Sequence, residues 1–484
     1  MKHTLPFLAT LLLGLPAAIH GAELHAADAV QPSKPNLVLI FIDDLGYGDI
    51  GPFGAMKQKT PHLDKLAAEG RKFTSFYATP VCSMSRACLM TGCYNVRVSI
   101  PGVFGPRNNR GLHSDEITLA EIVKPQGYAT ICIGKWHLGH REPFLPTRQG
   151  FDSYFGIPYS NDMTIDPEHA RFARNCVFRE GMTEAKARAE ALRHVVPLMR
   201  NEEIVEYPAD QSTLTKRYTQ EAIKFIRDNQ ARPFFLYLPH TMVHAPLAAS
   251  EDFRGRSGNG LFGDAVEEVD WSVGQILRTL QELQLDSQTL VIFTSDNGAA
   301  GGSSAPWRGK KGSVFEGGVR EPCIMRWPGR IPAGTTCPHI AGNIDLLPTF
   351  ARLVGTALPK DRVIDGRDIT SLMFQADAPP VRDTHLYFTG GGALGAIRQG
   401  DWKLFLTTPA KARGKKAKAA KGGQQAEAAD KLVLFHLAQD PTESTDVAAQ
   451  HPEIVAQLQA EAQRREKEIR DHRRPAGEVQ ANAD

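Results

Sequence analysis

The segment Val81-Cys82-Ser83-Met84-Ser85-Arg86-Ala87-Cys88-Leu89-Met90-Thr91-Gly92 sets a cysteine four residues ahead of an arginine, in a run that suits a helix. A helix beginning here puts Cys82 at its amino end, where unpaired N–H groups favour an anion or a developing negative charge. Arg86, one turn on, reaches back toward the same spot. Such a thiol is either a nucleophile in a positive field or a packed or disulfide-bonded cysteine, and its surroundings decide which.

Four further segments supply surroundings. Residues 36–42 are continuously apolar and run into Asp43-Asp44. Residues 128–133 run into Gly134-Lys135-Trp136-His137, residues 233–238 into Pro239-His240-Thr241-Met242-Val243-His244, and residues 289–294 into Ser295-Asp296-Asn297-Gly298. Apolar runs of this length suit strands covered on both faces. In open α/β sheets the ligand crevice lies beyond the carboxyl ends of the strands. Asp43, Asp44, Asp296 and Asn297 offer oxygen donors, which suit a hard cation, calcium or magnesium. Arg86, Lys135 and Lys311, with His137 and His244, suit one small anion: arginine and lysine stabilise charge on a transferring tetrahedral group, and histidines move protons. Lys311 sits in the glycine-rich stretch Arg308-Gly-Lys-Lys-Gly-Ser-Val-Phe-Glu-Gly-Gly-Val-Arg320, which allows close backbone approach. His62, His113, His140 and His240 read as ordinary core or surface histidines.

The elements that must carry these residues alternate. Thr60-Pro61 opens a helix that Gly70 closes. Helices over 117–123, 216–228, 264–283 and 345–354 alternate with the buried strands, which predicts an α/β fold with a large, mostly parallel mixed sheet flanked by helices. Beyond about residue 375 the pattern changes to short strands over 385–388, 395–398, 402–406 and 432–436, then a helix over 452–472. That predicts a smaller C-terminal α+β unit, residues 376–484, with an antiparallel sheet. The lysine- and alanine-rich stretch within 410–430 reads as a basic low-complexity loop, and the tail after Pro475 as disordered.

The chain's 484 residues suggest two or three domains. Lys+Arg 56 against Asp+Glu 54 gives no basic excess of the kind that marks a nucleic-acid binder. Lys2 and His3 precede an apolar run from Leu5 to Ala18, with small residues after it, which reads as a secretory signal peptide over 1–22, cleaved somewhere within 21–27. The protein is therefore expected to be secreted or periplasmic, with no stable membrane insertion after cleavage. The seven cysteines are odd in number, so at least one lacks an intrachain partner, and no Cys-x-x-Cys pair suggests structural zinc.

Five stretches, in order, resemble the sulfatase family of the alkaline-phosphatase superfold. They are Asp43-Asp44-Leu-Gly-Tyr-Gly-Asp, Cys82-Ser-Met-Ser-Arg86 with Leu89-Met-Thr-Gly92, Gly127-Tyr-Ala-Thr-Ile-Cys-Ile-Gly-Lys-Trp-His137-Leu-Gly, Ser295-Asp-Asn-Gly298 and Lys311-Gly-Ser-Val-Phe-Glu-Gly-Gly-Val-Arg-Glu-Pro322. Gly400-Asp-Trp-Lys403 and Leu434-Phe-His-Leu-Ala-Gln-Asp-Pro441 look like the family's small C-terminal domain, and Gly156-Ile-Pro-Tyr-Ser160-Asn-Asp162 is most similar to the arylsulfatase A-like branch. The resemblance implies a catalytic domain over 35–375 that hydrolyses sulfuric esters. It implies that Cys82 is oxidised by a formylglycine-generating maturase, and that Asp43, Asp44, Asp296, Asn297 and residue 82 bind calcium. It implies further that Arg86 holds the aldehyde hydrate, that Lys135, His244 and Lys311 bind sulfate, that His137 helps release it, and that Ser160 contacts substrate. One position departs from the family's Cys-x-Pro-x-Arg pattern: Met84 stands where proline is usual. Two other readings fit the same residues, a phosphonate monoester or phosphodiester hydrolase and a non-catalytic anion-binding protein with Cys82 unmodified. The ester's carrier, a glycan or another alcohol, is not written in the motifs.

Overall fold

The computed structural model describes Met1 and residues 34–189, 192, 194–407 and 432–480. The predicted signal peptide and the basic loop lie outside the described residues. The centre of the molecule is a twelve-stranded mixed sheet. Thr289–Ser295, Asn36–Ile42, Phe234–His240, Ala129–Ile133 and Ser153–Gly156 lie side by side in that order, all parallel. Every residue of Asn36–Ile42 is buried because both faces are covered. Leu37, Leu39 and Phe41 pack with the helices Cys82–Thr91, Leu119–Val123 and Leu346–Val354, while Val38, Ile40 and Ile42 pack with Pro61–Ala68, Leu214–Asp228 and Gly260–Glu282. That two-sided cover is why the strand sequences are apolar runs rather than alternating patterns.

Register sets the height of the strand ends. Ile42 pairs with both Ser295 and His240. The ladder continues past the strands, with Asp296 N–H donating to Ile42 O at 3.0 Å, Val243 N–H to Asp43 O at 2.9 Å and Lys135 N–H to Pro239 O at 2.8 Å. The polar residues after all four strands therefore leave the sheet at one edge.

Two antiparallel strands, Arg320–Arg326 and Arg71–Tyr77, extend the sheet beyond Thr289–Ser295. The C-terminal region forms a separate antiparallel sheet of Thr384–Phe388, Leu394–Gln399, Trp402–Phe405 and Val433–His436, in that order. The helix Pro452–Asp471 packs on it through Leu458, Ala462 and Ile469. Met84, fully buried, lies in the same cluster with Leu386 and Phe388, so the residue that replaces proline fills the seam between the Cys82 helix and the C-terminal sheet.

The disorder expected after Pro475 does not hold for residues 476–480. Gly477–Glu478 pairs antiparallel with Arg110–Gly111, Val479 N–H donates to Asn109 O at 2.9 Å, and Ala476 is buried. This pairing uses backbone groups, so the side-chain pattern gave no sign of it. All seven cysteines are described as free thiols.

Candidate active site

The site is built where the strand ends meet the start of the Cys82–Thr91 helix. In an extended strand Asp43 and Asp44 would face opposite sides. Asp44 instead takes φ +62°, a left-handed turn that aspartate tolerates, and both carboxylates reach one cluster. His137 has φ +61° as well. Two left-handed non-glycine residues at one site mark backbone held there by its surroundings. Gly134 before it has φ +128°, and a Cβ there would stand 1.9 Å from Pro239 O, so only glycine lets these two strand ends approach.

All eleven sequence-predicted residues converge. Lys135 Nζ lies 2.6 Å from Asp43 Oδ2 and donates to Ser160 Oγ at 3.3 Å. Lys311 Nζ pairs with Asp44 Oδ1 at 2.6 Å. Arg86 donates to Asp296 Oδ2 at 2.8 Å and to Lys135 O at 2.7 Å, and its guanidinium is 3.8 Å from Asp43. Asn297 Nδ2 donates to Asp44 Oδ1 at 2.7 Å. Asp43, Cys82 and Asp296 present three ligand atoms within 4.8 Å of one another.

Two histidines are held in defined ways. His137 Nε2 donates to Phe104 O at 2.8 Å, which leaves Nδ1 as a buried lone pair without a partner among the described residues. Burial, then the charges of Lys135 and Arg86, push its pKa well below the usual histidine value, so the ring is a neutral base. His244 Nδ1 donates to Asn161 Oδ1 at 2.8 Å, turning Nε2 toward Ser160 Oγ at 3.1 Å and Asp44 at 3.8 Å. Asp43, Lys135, Arg86 and Asp296 are wholly buried, whereas the side chains of His244 and Lys311 are 12% and 22% exposed. Those two therefore form the solvent side of the cluster.

The carboxylates fit a cation. Asp43 Oδ1 and Asn297 Oδ1 are buried acceptors without partners among the described residues. Burial and the like charge of Asp43 push Asp296 up to about 7, the signature of crowded acids. A divalent ion would satisfy both orphan oxygens and relieve that crowding, and an all-oxygen donor set selects a hard one. Burial also raises the Cys82 thiol pKa despite Lys135 and Lys311, so the unmodified sulfur is not a ready thiolate.

Several supporting residues were not singled out from the sequence. Asn161, which fixes His244, follows Ser160 in a polar strand end and carried that modest signal. Glu321 is buried with neither oxygen partnered among the described residues, and burial together with Asp296 and Asp44 drives its pKa well above the usual carboxylate range. The loop that delivers Lys311 is tied from the C-terminal sheet. Lys403 Nζ donates to Val314 O at 2.7 Å and pairs with Glu316 and Glu443 at 2.8 Å each, and Glu443 Oε2 accepts from Glu316 N–H at 2.7 Å.

Known proteins place this arrangement. The sequence matches the family described as Sulfatase over residues 35–356 and the C-terminal region of aryl-sulfatase over residues 381–482. It is 38% identical over 483 residues to N-acetylgalactosamine-6-sulfatase of Canis lupus familiaris, covering 91% of this chain and 86% of that protein. It is 37% identical to arylsulfatase A of Bos taurus, covering 90% and 88%. Among solved structures, the PsFucS1 sulfatase from Pseudoalteromonas sp. superposes with TM-score 0.77 at 27% identity, covering 92% of this chain and 93% of that one. With the Sulfatase model spanning residues 35–356 and identities of 37–38% to sulfatases over about nine-tenths of the chain, the protein belongs to the sulfatase family, enzymes that hydrolyse sulfate esters.

Proposed function

We propose that the protein is an exported, calcium-dependent sulfatase acting on a sulfated carbohydrate, and that its nucleophile is formylglycine made from Cys82 by a maturase. The observation that carries the reading is the meeting of Cys82 with two orphan oxygens, three cations and two ordered histidines at one strand edge. The carbohydrate follows from relatives named for amino-sugar sulfates and from a neighbour of 27% identity and TM-score 0.73, covering 89% of this chain and 92% of that one, solved with a neocarrahexaose.

Asp43, Asp44, Asp296 and Asn297, with residue 82, would hold the calcium ion, which would offset charge on the sulfuryl oxygens. The aldehyde made from Cys82 would supply a hydrate, one hydroxyl taking the sulfuryl group and the other, on deprotonation, restoring the aldehyde and freeing sulfate. Lys135, His244 and Lys311 bind the sulfate oxygens, while Ser160, bonded to two of them, fixes their spacing. His137 Nδ1, a neutral and unshared lone pair, takes the proton of the second hydroxyl. The departing alcohol leaves on the solvent side, where Lys311, or His244 in its doubly protonated form, gives its oxygen a proton.

Mass spectrometry of the tryptic peptide 73–86 from protein made in its native host tests the reading, because Met84 occupies the position where the maturation motif usually has proline. Aldehyde at residue 82 is expected; an active preparation with an intact thiol overturns it. Lys311→Ala should lower kcat about 10²- to 10³-fold, the cost of losing one preorganised charge on the transferring group, in steady-state sulfate release. Adding calcium to chelator-stripped protein should raise its melting temperature; a hundredfold excess over Kd contributes about 2.7 kcal/mol. Asp296→Asn should blunt that shift, and calorimetric melts with and without calcium read it. Export predicts a mature N-terminus within residues 22–28, which Edman sequencing of the native protein checks.

A further inference from the structure

A second cavity, about 360 Å³, lies between the Pro452–Asp471 helix, the turn after Phe388 and the segment around Pro101. Its floor is apolar: Phe388 and Ile469 are each 2% exposed, with Val96 and Pro101 beside them. Its rim is basic, with Arg110, Arg470 and Arg473 against one acid, Glu466. Arg470 is committed to that acid, its Nη2 donating to Glu466 Oε1 at 2.6 Å. Arg110 and Arg473 face no carboxylate partner among the described residues, and Arg110 Nε is a buried donor left unbonded. Arg473 is exposed on the rim, whereas Arg110 is half-buried, and a half-buried guanidinium without a counter-charge is costly unless a ligand brings one; the planar fork of each matches carboxylate or sulfate oxygens.

The cavity borders chain segments that lead to the active site. A Cβ on Gly390 would lie 3.7 Å from the side chain of Val81, the residue that precedes Cys82, and one on Gly392 would lie 2.7 Å from Pro101. Three residues past Pro101, Phe104 N–H donates to Ser83 Oγ at 3.2 Å, and the Phe104 carbonyl accepts from His137. One wall of the cavity thus continues into the backbone that frames Cys82 and His137.

We propose that this cavity is a second anion subsite, taking the carboxylate or sulfate of a sugar next to the one that carries the scissile ester. The inference rests on the reading of the protein as a carbohydrate sulfatase and narrows its substrate to an oligosaccharide with more than one anionic group. The accessible apolar lining, Val96 and Pro101, takes a sugar's C–H face while Arg110 and Arg473 take its anion.

The test compares wild-type protein with Arg473→Ala, Arg110→Gln and the charge-conserving Arg110→Lys, on a chondroitin 6-sulfate tetrasaccharide and on 4-nitrophenyl sulfate. Each charge-removing variant should lose about tenfold in kcat/KM on the tetrasaccharide and stay within about twofold of wild type on the aryl ester, with Arg110→Lys between. Carboxyl reduction of the tetrasaccharide separates the two sources of charge: a matching loss in wild type assigns the carboxylate, and an unchanged rate assigns the second sulfate. Equal losses on both substrates, or none on the tetrasaccharide, overturn the subsite. If wild type frees sulfate from neither ester, the proposed carbohydrate-sulfatase activity falls. Calorimetric binding of the tetrasaccharide then decides the subsite alone: about tenfold weaker binding by Arg473→Ala supports it, and equal affinity or no binding overturns it.

Discussion

Cys82→Ala is expected to abolish sulfate release while leaving the protein folded. Residue 82 is the first residue of its helix and its side chain is buried, so alanine is compatible with the backbone and removes a single sulfur atom. The stability cost of so small a truncation is about 1 kcal/mol. The catalytic cost is of another order, because the one other clustered hydroxyl, on Ser160, lacks the second geminal hydroxyl that would expel sulfate. Loss of a nucleophile that acts with its partners as a unit costs at least about 10⁴-fold in kcat, with the surviving charges still binding the ester. Sulfate release by ion chromatography and a melting curve on the same preparation check both halves. Turnover above about a hundredth of wild type would show that residue 82 is not the nucleophile. Unchanged ligand affinity beside undetectable turnover in both wild type and variant would instead favour the non-catalytic reading.

The convergence of the strand-end residues of the candidate site was legible in the sequence because they follow strands buried on both faces. Such strands are continuous apolar runs, and the abrupt change to Asp43-Asp44, Lys135, His244 and Asp296-Asn297 marks where the sheet ends. Parallel pairing in common register then brings those ends together without further information. What stayed hidden depends on backbone angle or on distant partners. Neither the left-handed turn at Asp44 nor the one at His137 has a side-chain signature, since aspartate and histidine occur in many conformations. Arg71–Tyr77 was not read as a strand because Arg71, Lys72, Thr74 and Ser75 interrupt its apolar pattern; Arg71 is nonetheless buried, its guanidinium capped by the carbonyls of Gln375 and Ala376. Met84 looked only like a departure from a maturation motif. Its burial against Leu386 and Phe388 gives it a second role, in packing, that a proline could not fill with the same volume. The residues that hold the Lys311 loop were least legible, because Glu316 and Glu443 are 127 positions apart.

That loop carries the other large effect. Lys403→Met should destabilise the protein by about 3–5 kcal/mol, the range for removing one partner of a buried charge cluster. Lys403, Glu316 and Glu443 have no exposed side-chain surface, and Lys403 is the cation between the two acids. Tyr77 OH donates to Glu316 at 2.6 Å, Tyr387 OH at 3.1 Å and Arg320 at 3.2 Å, so Glu316 keeps partners when the lysine is gone. Glu443 keeps only the Glu316 N–H: burial and the charge of Glu316 already push it up to about 7, and without Lys403 it would take up a proton rather than stay charged. Glu443→Gln imitates that neutral state and should cost less than Lys403→Met. The double variant should be less unstable than the sum of the singles by about 1–3 kcal/mol, because the two residues share one network. Function should follow through geometry. Lys403 also holds Val314 O, and two residues before it Gly312 N–H donates to Pro80 O at 2.8 Å, which fixes the loop across the start of the Cys82 helix. Well below its melting temperature the folded Lys403→Met protein should show a raised KM for a sulfate ester, since Lys311 would no longer be held against Asp44. Denaturant titration gives the stability order and steady-state kinetics the KM. Wild-type KM and kcat in a destabilised but folded variant would confine the cluster to stability and free the Lys311 loop from control by the C-terminal sheet.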